Sequence, residues 1–226
     1  LLGSWEDKEL VPPTLFHFTD CDGLVGILTT KTLRASLATS LNDASETKNA
    51  ISRLRSTLLA GSPPLEHLDP NLLLAQLEEQ SFRRDYRVYV CSFCGAAEAV
   101  HWLHYGRCGT GVAVGFDSIG LYRVNQFVLY PVIYDIDEQD RLLASIIELV
   151  DESAGRFASQ LNTVGDLFAE AAVDFLRLAA PRIKDPSFRS ENEWRLFSTE
   201  LWQRLGCSIR STGAALALPF PSDAGL

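Results

Sequence analysis

An α+β fold with a central mixed or antiparallel sheet is what this 226-residue chain predicts. Two observations carry that prediction. Strand-type runs and helical stripes are interspersed without regular β-α-β alternation. Two longer helices, 138–157 and 164–180, interrupt the strand runs as a helical insertion over 138–180, flanking the sheet. No linker separates them from the rest, so a single domain over 1–226 is expected.

The elements follow in order. Pro12-Pro13 opens a strand, Thr14 to Phe18. Asp20 or Asp22 can cap a short helix to Leu28, with Leu24, Ile27 and Leu28 on one face. Thr32 to Leu37 reads as a second strand, and Ser40-Leu41-Asn42-Asp43 as a turn or cap. Ile51, Leu54 and Leu58 stripe a helix that ends near Leu59, before Gly61-Ser62-Pro63-Pro64. Leu68 to Phe82 is another helix. Arg87 to Phe93 is strand material, Glu98 to Tyr105 a short helix, Gly109 to Phe116 a buried strand and Gln126 to Tyr134 another. Pro181 and Pro186 bracket a loop. Trp194 to Ser198 is a strand, with further strands expected at Cys207 to Arg210 and Ala214 to Leu218.

Composition narrows the function classes. Twenty Lys and Arg against 29 Asp and Glu give a net charge of −9. That argues against a general nucleic-acid-binding field but leaves room for a local basic groove. No eighteen-residue apolar run is present, so no membrane span is expected. The start, LLGSWEDKEL, lacks a signal pattern. Five irregularly spaced Cys fit reduced thiols, hence a cytoplasmic setting.

Several clusters could carry chemistry. Gly106, Gly109 and Gly111 suggest a phosphate loop, but here a helix precedes the glycines and a strand follows. A dinucleotide fingerprint needs the reverse order, so a helix stop and tight turn is the simpler reading. Cys91, Cys94, His101, His104 and Cys108 suggest zinc. Yet i and i+3 on a strand face opposite sides, and no metal is expected. Asn42-Asp43 with Glu46 reads either as a helix start or as a polar ligand edge. Trp102 and Tyr105 share helical spacing, for core packing or ring stacking.

The sharpest segment is Ser190 to Arg195. On a strand, Glu193, Arg195 and Phe197 share one face and Trp194 and Leu196 the other. Glu191 joins the Glu193 side if the strand extends back. Paired carboxylates can stabilise a developing cation or activate a nucleophile. The competing reading is an exposed edge with an ion pair. His17 lies within the first strand with Leu15 and Thr19 on its face, which suits a structural group as well as a catalyst.

Three blocks in order resemble the bacterial domain-of-unknown-function family numbered 2971. The first is Leu15-Phe16-His17-Phe18-Thr19, Gly23-Leu24, Ile27-Leu28, Leu33 to Ser36, Leu41-Asn42-Asp43 and Glu46. The second is Val90-Cys91-Ser92-Phe93, Trp102, Tyr105-Gly106 and Gly111 to Asp117. The third is Lys184 with Glu191, Glu193, Trp194 and Arg195. More distantly, the strand His followed by Thr and the late Glu-x-Glu resemble the ADP-ribosyltransferase-like fold.

That second resemblance implies an NAD-using enzyme, a bacterial toxin or anti-phage effector. It implies that His17 binds a ribose hydroxyl of NAD. Glu193 then stabilises the oxocarbenium ion and Glu191 orients or deprotonates the acceptor, with Tyr105 stacking nicotinamide. Thr19, Asn42, Asp43 and Arg195 complete the expected nucleotide site. The acceptor would be a protein side chain, a nucleic-acid base or a small molecule; the acidic charge favours protein or small molecules. One alternative is a non-catalytic nucleotide sensor that signals through 138–180 to a regulatory protein. Another is a metal-dependent nuclease or hydrolase using Asp43, Glu46, Glu191, Glu193 and Lys184.

Overall fold

The computed structural model describes residues 11–38, 45–61, 64–81, 88–122, 128–157, 167–168, 171–172, 175–176, 179–199 and 215–219. Asp43–Tyr86 and Ile133–Pro186 form one unit; Leu2–Asn42, Arg87–Val132 and Ser187–Leu226 form a second. Among the described residues no helix is long and apolar enough to cross a membrane.

The second unit is built on a sheet. Strand β1 (Thr14–Thr19) runs into helix α1 (Cys21–Thr30). Asp20 caps that helix, its side chain accepting from the Gly23 N–H at 2.6 Å. A Cβ on Gly23 would overlap the Thr19 hydroxyl, which would have to turn away. The helix runs two residues beyond Leu28 and stops where Lys31 turns left-handed (φ 53°) and its N–H reaches the Ile27 carbonyl. Strand β2 (Thr32–Leu37) follows as expected.

Helices α2 (Ser45–Leu59) and α3 (Pro70–Ser81) precede strand β3 (Val88–Cys94) and helix α4 (Ala99–His104). Strand β4 (Val112–Asp117) starts three residues later than Gly109, because Arg107–Gly109 forms a tight turn instead. A short helix α5 (Ser118–Tyr122), not anticipated from the sequence, leads toward strand β5 (Val128–Pro131). Helix α6 (Ile136–Arg156), strand β6 (Glu193–Thr199) and strand β7 (Ala215–Pro219) complete the set. The strand expected at Cys207 to Arg210 lies outside the described residues.

All paired strands of this seven-stranded sheet are antiparallel. One edge of β3 pairs with β6 along its length, from Val88↔Thr199 to Cys94↔Glu193. Its other edge is shared. At one end Phe16 of β1 pairs with Cys94; at the other, Ser36 and Leu37 of β2 pair with Val90 and Tyr89. The sheet therefore forks at Cys91–Phe93.

Register assigns the two faces. Leu15, Phe116, Tyr89, Cys91, Phe93, Trp194 and Leu196 lie on one side in a shared apolar core. Phe16, Phe18, Cys94, Glu193 and Arg195 lie on the other. Helix α4 covers part of that second face, with the Phe18 ring edge-on to Trp102 at 5.1 Å and near His101 at 5.6 Å.

The first unit is helical. Leu54 and Leu58 of α2, Leu73 of α3 and Leu143, Ile147 and Val150 of α6 share its core. The helix expected from 138 begins two residues earlier, because Asp135 is the cap and accepts from the Glu138 N–H at 3.0 Å. The buried Gln139 amide donates to the Ile133 and Lys184 carbonyls at 2.8 and 2.7 Å. Asp151 accepts from the N–H groups of Glu66, His67 and Leu68. Of the expected 164–180 helix, residues 167–168, 171–172, 175–176 and 179 are helical.

Candidate functional site

Strand β6 is interior, flanked by β3 and β5, so the face carrying Glu193 and Arg195 is not an exposed edge. The two residues are 6% and 3% exposed. Alternation puts them side by side, and Arg195 grips the carboxylate with two bonds. Its Nε donates to Glu193 Oε1 at 2.8 Å and its Nη2 to Oε2 at 3.0 Å. A charge at this depth is tolerable only when paired and hydrogen-bonded in this way.

Glu191 does not extend the strand. It closes a 3₁₀ turn over Pro186–Glu191, and Asn192 adopts φ 41°, which breaks the extended backbone. The Asn192 carbonyl accepts from the Gly95 N–H at 2.9 Å, which ties the kink to the end of β3. The kink still delivers Glu191 toward α4: Tyr105 donates its hydroxyl to Glu191 Oε1 at 2.6 Å.

His101 locks this arrangement. Its Nδ1 accepts from the Glu98 N–H at 3.1 Å, so the proton sits on Nε2, which donates to the Glu191 carbonyl at 2.7 Å. Both ring nitrogens are thus engaged, and the side chain is fully buried. His101 is a positioning residue that sequence spacing suggested only as a metal ligand.

Tyr105 links the two acids electrostatically. Burial of its hydroxyl, then its bond to Glu191 and the charges of Glu191 and Glu193, push its pKa well above the usual phenol value. It stays a phenol and a donor. The residue remains 41% exposed, so the hydroxyl points in while much of the ring meets solvent.

His17 is placed differently. It pairs with Val114 and shares a face with Leu15, opposite to the face of Phe16, Cys94 and Glu193. The structure therefore brings together Glu191, Glu193, Arg195 and Tyr105, but it does not put His17 on their side of the sheet. At the fork, His17 Nδ1 donates to the Ser92 carbonyl at 2.9 Å, filling a ladder position that neither β1 nor β2 fills. Burial lowers its pKa, against an opposing effect of the Ser92 bond. The neutral ring is thus the folded form.

The pH consequence has a definite sign. His17 starts from 6.5 in the unfolded chain and lies lower when folded, so the unfolded state binds more protons between the two values. Its contribution is present above pH 6.5 and is lost progressively as pH falls from there through the lower folded value. Urea titrations between pH 5 and 7 should show a stability slope that flattens in His17→Asn, whose amide can still donate to Ser92. An unchanged slope would remove His17 as its source.

Thr19 lies at the end of β1 on the His17 face, against the head of α1. Asn42 and Asp43 lie outside the described residues, as does the Glu46 side chain. Lys184 belongs to the helical unit. Trp102 packs on Phe18. Cys91 faces the apolar core and Cys94 the opposite side, as alternation requires; burial raises the Cys91 thiol to about 12, so it is protonated at neutral pH. Among the described residues no three His, Cys, Asp or Glu side chains are grouped to hold a metal ion.

Residues 101–196 match the family described as "Protein of unknown function (DUF2971)". That stretch contains His101, Tyr105, Glu191, Glu193 and Arg195. No curated protein and no solved structure matches the chain.

Proposed function

We propose that this protein, whose residues 101–196 match the DUF2971 family, is an NAD-using, ADP-ribosyltransferase-like enzyme. The supporting observation is the convergence of two carboxylates, Glu191 and Glu193, with the Tyr105 phenol on one sheet face.

The chemistry needs little more than positioned charge. The bond between ribose C1′ and nicotinamide nitrogen breaks, and its electron pair leaves with nicotinamide. The Glu193 carboxylate stabilises the oxocarbenium ion, while Arg195 fixes its orientation. An acceptor hydroxyl or amine then attacks C1′ and gives its proton to Glu191, which also accepts from Tyr105. The acceptor class is a protein side chain, a nucleic-acid base or a small molecule, and water would give simple NAD hydrolysis. His17 acts here as a fork-filling group, not as a ribose ligand beside Glu193.

One observation favours a second reading, a nucleotide sensor without catalysis. Arg195 already occupies both oxygens of Glu193, which tempers the free charge available to a cation.

Nicotinamide release from NAD, measured by mass spectrometry on wild type and Glu193→Gln, separates the two. Gln keeps the shape and removes the charge. The transferase reading expects release by wild type and a loss of about 100-fold or more in the variant. NAD bound intact by both proteins would favour the sensor. Neither binding nor release would sink both.

A further inference from the structure

The turn joining α4 to β4 has an unusual backbone. Arg107, Cys108 and Gly109 are consecutive left-handed residues, with φ of 45°, 54° and 87°. Only glycine adopts this region without crowding its Cβ, so two of the three positions hold it at a cost. Sustained cost of this kind is a reason to ask what the turn does.

Gly106, just before, has φ −87° and ψ 28°. A turn that aims successive N–H groups toward a common point cradles anions; the Gly106 N–H already donates to the His101 carbonyl at 3.0 Å, which leaves those of Arg107 and Cys108. The Gly106 carbonyl closes the far side of the turn, accepting from Gly109 at 2.9 Å and Gly111 at 2.8 Å. The N–H groups of Arg107 and Cys108 meet no acceptor among the described residues.

A cation stands beside them. The Arg107 side chain is 71% exposed, and its Nη2 lies 2.7 Å from Asp20 Oδ2. Among the described residues that one contact leaves most of the five guanidinium donors open, and Asp20 is itself held by capping Gly23. The turn is packed against the end of β1, since a Cβ on Gly111 would stand 2.6 Å from the Thr19 carbonyl oxygen. It begins one residue after Tyr105.

We propose that this turn is a phosphoryl-binding subsite that takes the pyrophosphate of a dinucleotide; the dinucleotide assignment rests on the NAD reading above. The donors are the Arg107 and Cys108 N–H groups and the Arg107 guanidinium. No helix N-terminus is involved, which is why the order of helix, glycines and strand does not argue against it. Among the described residues Asp20 is the one carboxylate at this guanidinium, and a phosphoryl group shares Arg107 with it.

Calorimetric titration with inorganic pyrophosphate at low salt tests the subsite, using wild type, Arg107→Gly and Glu193→Gln. Glycine suits the left-handed position, so the first variant should keep its melting temperature while removing the cation. Wild type is expected to bind, Arg107→Gly about tenfold or more weakly, and Glu193→Gln like wild type. No pyrophosphate binding by wild type, or equal affinity in Arg107→Gly, would overturn the subsite. Nicotinamide release persisting beside such a failure would leave the transferase reading intact. Arg107-dependent pyrophosphate binding without NAD cleavage or NAD binding would keep the phosphoryl subsite and discard the dinucleotide.

Discussion

Glu193→Ala should destabilise the protein by about 3–5 kcal/mol, the range for stranding one partner of a buried ion pair. Arg195 is 3% exposed and donates two bonds to that carboxylate. Alanine removes the acceptor of those two bonds and leaves a buried guanidinium that cannot lose its proton. Flanking strands β3 and β5 keep it from swinging to solvent. Desolvation of the pair is itself costly, so a volume-matched apolar double replacement, Glu193→Leu with Arg195→Met, should recover most of the loss. Urea denaturation of the two singles and the double gives the coupling. A single-variant loss below about 1 kcal/mol would mean that the pair behaves like a surface salt bridge. The same experiment guards the activity test, because it separates a folded but inactive Glu193→Gln from an unfolded one.

The second large effect lies in the helical unit. Asp151 is 6% exposed and accepts from three successive N–H groups, Glu66, His67 and Leu68, at 3.0, 3.0 and 2.8 Å. Those amides belong to an irregular segment before α3, with no ladder of their own to satisfy them. Asp151→Ala leaves them without this acceptor, and an unmet buried donor costs about 1–3 kcal/mol. The expected loss is therefore about 3 kcal/mol or more, with fast amide exchange at 66–68. Asp151→Asn should cost less, since one oxygen still accepts the His67 and Leu68 bonds. Exchange at 66–68 as slow in Asp151→Ala as in wild type would show that the segment is held by other contacts.

Much of the fold was legible from residue patterns. Thr32 to Leu37 forms β2 over the expected bounds, and α2 ends at Leu59, before Gly61. The face assignment of β6 was also legible, because strand periodicity is local: Glu193 and Arg195 had to share a side, and Trp194 and Leu196 the other. The family resemblance was carried by ordered blocks and is met by the match over 101–196.

Other features were not legible. Whether the strand extends back to Glu191 was left open by the pattern; it does not, because Asn192 turns left-handed, a backbone choice stabilised by the distant Gly95. The exposed-edge reading of Glu193 failed because pairing with β3 and β5 is a long-range event. The Tyr105–Glu191 bond joins residues 86 positions apart, and no periodicity reports it. His101 carried a metal-like signal from its spacing to His104, whereas both its nitrogens serve backbone groups.

The chain's own residue pattern was thus sufficient for most element types, for strand faces, for a helix cap at Asp20 or Asp22, and for the resemblance to the family matched over 101–196. These depend on neighbours within a few positions, where sterics and hydrogen bonding act directly. The fork at Cys91–Phe93, the burial of Glu193 with Arg195 and the separation of His17 from both were settled by strand pairing across the chain. A one-residue slip reverses every face, so the side on which His17 stands is a property of register with Cys94 and Val114 rather than of His17.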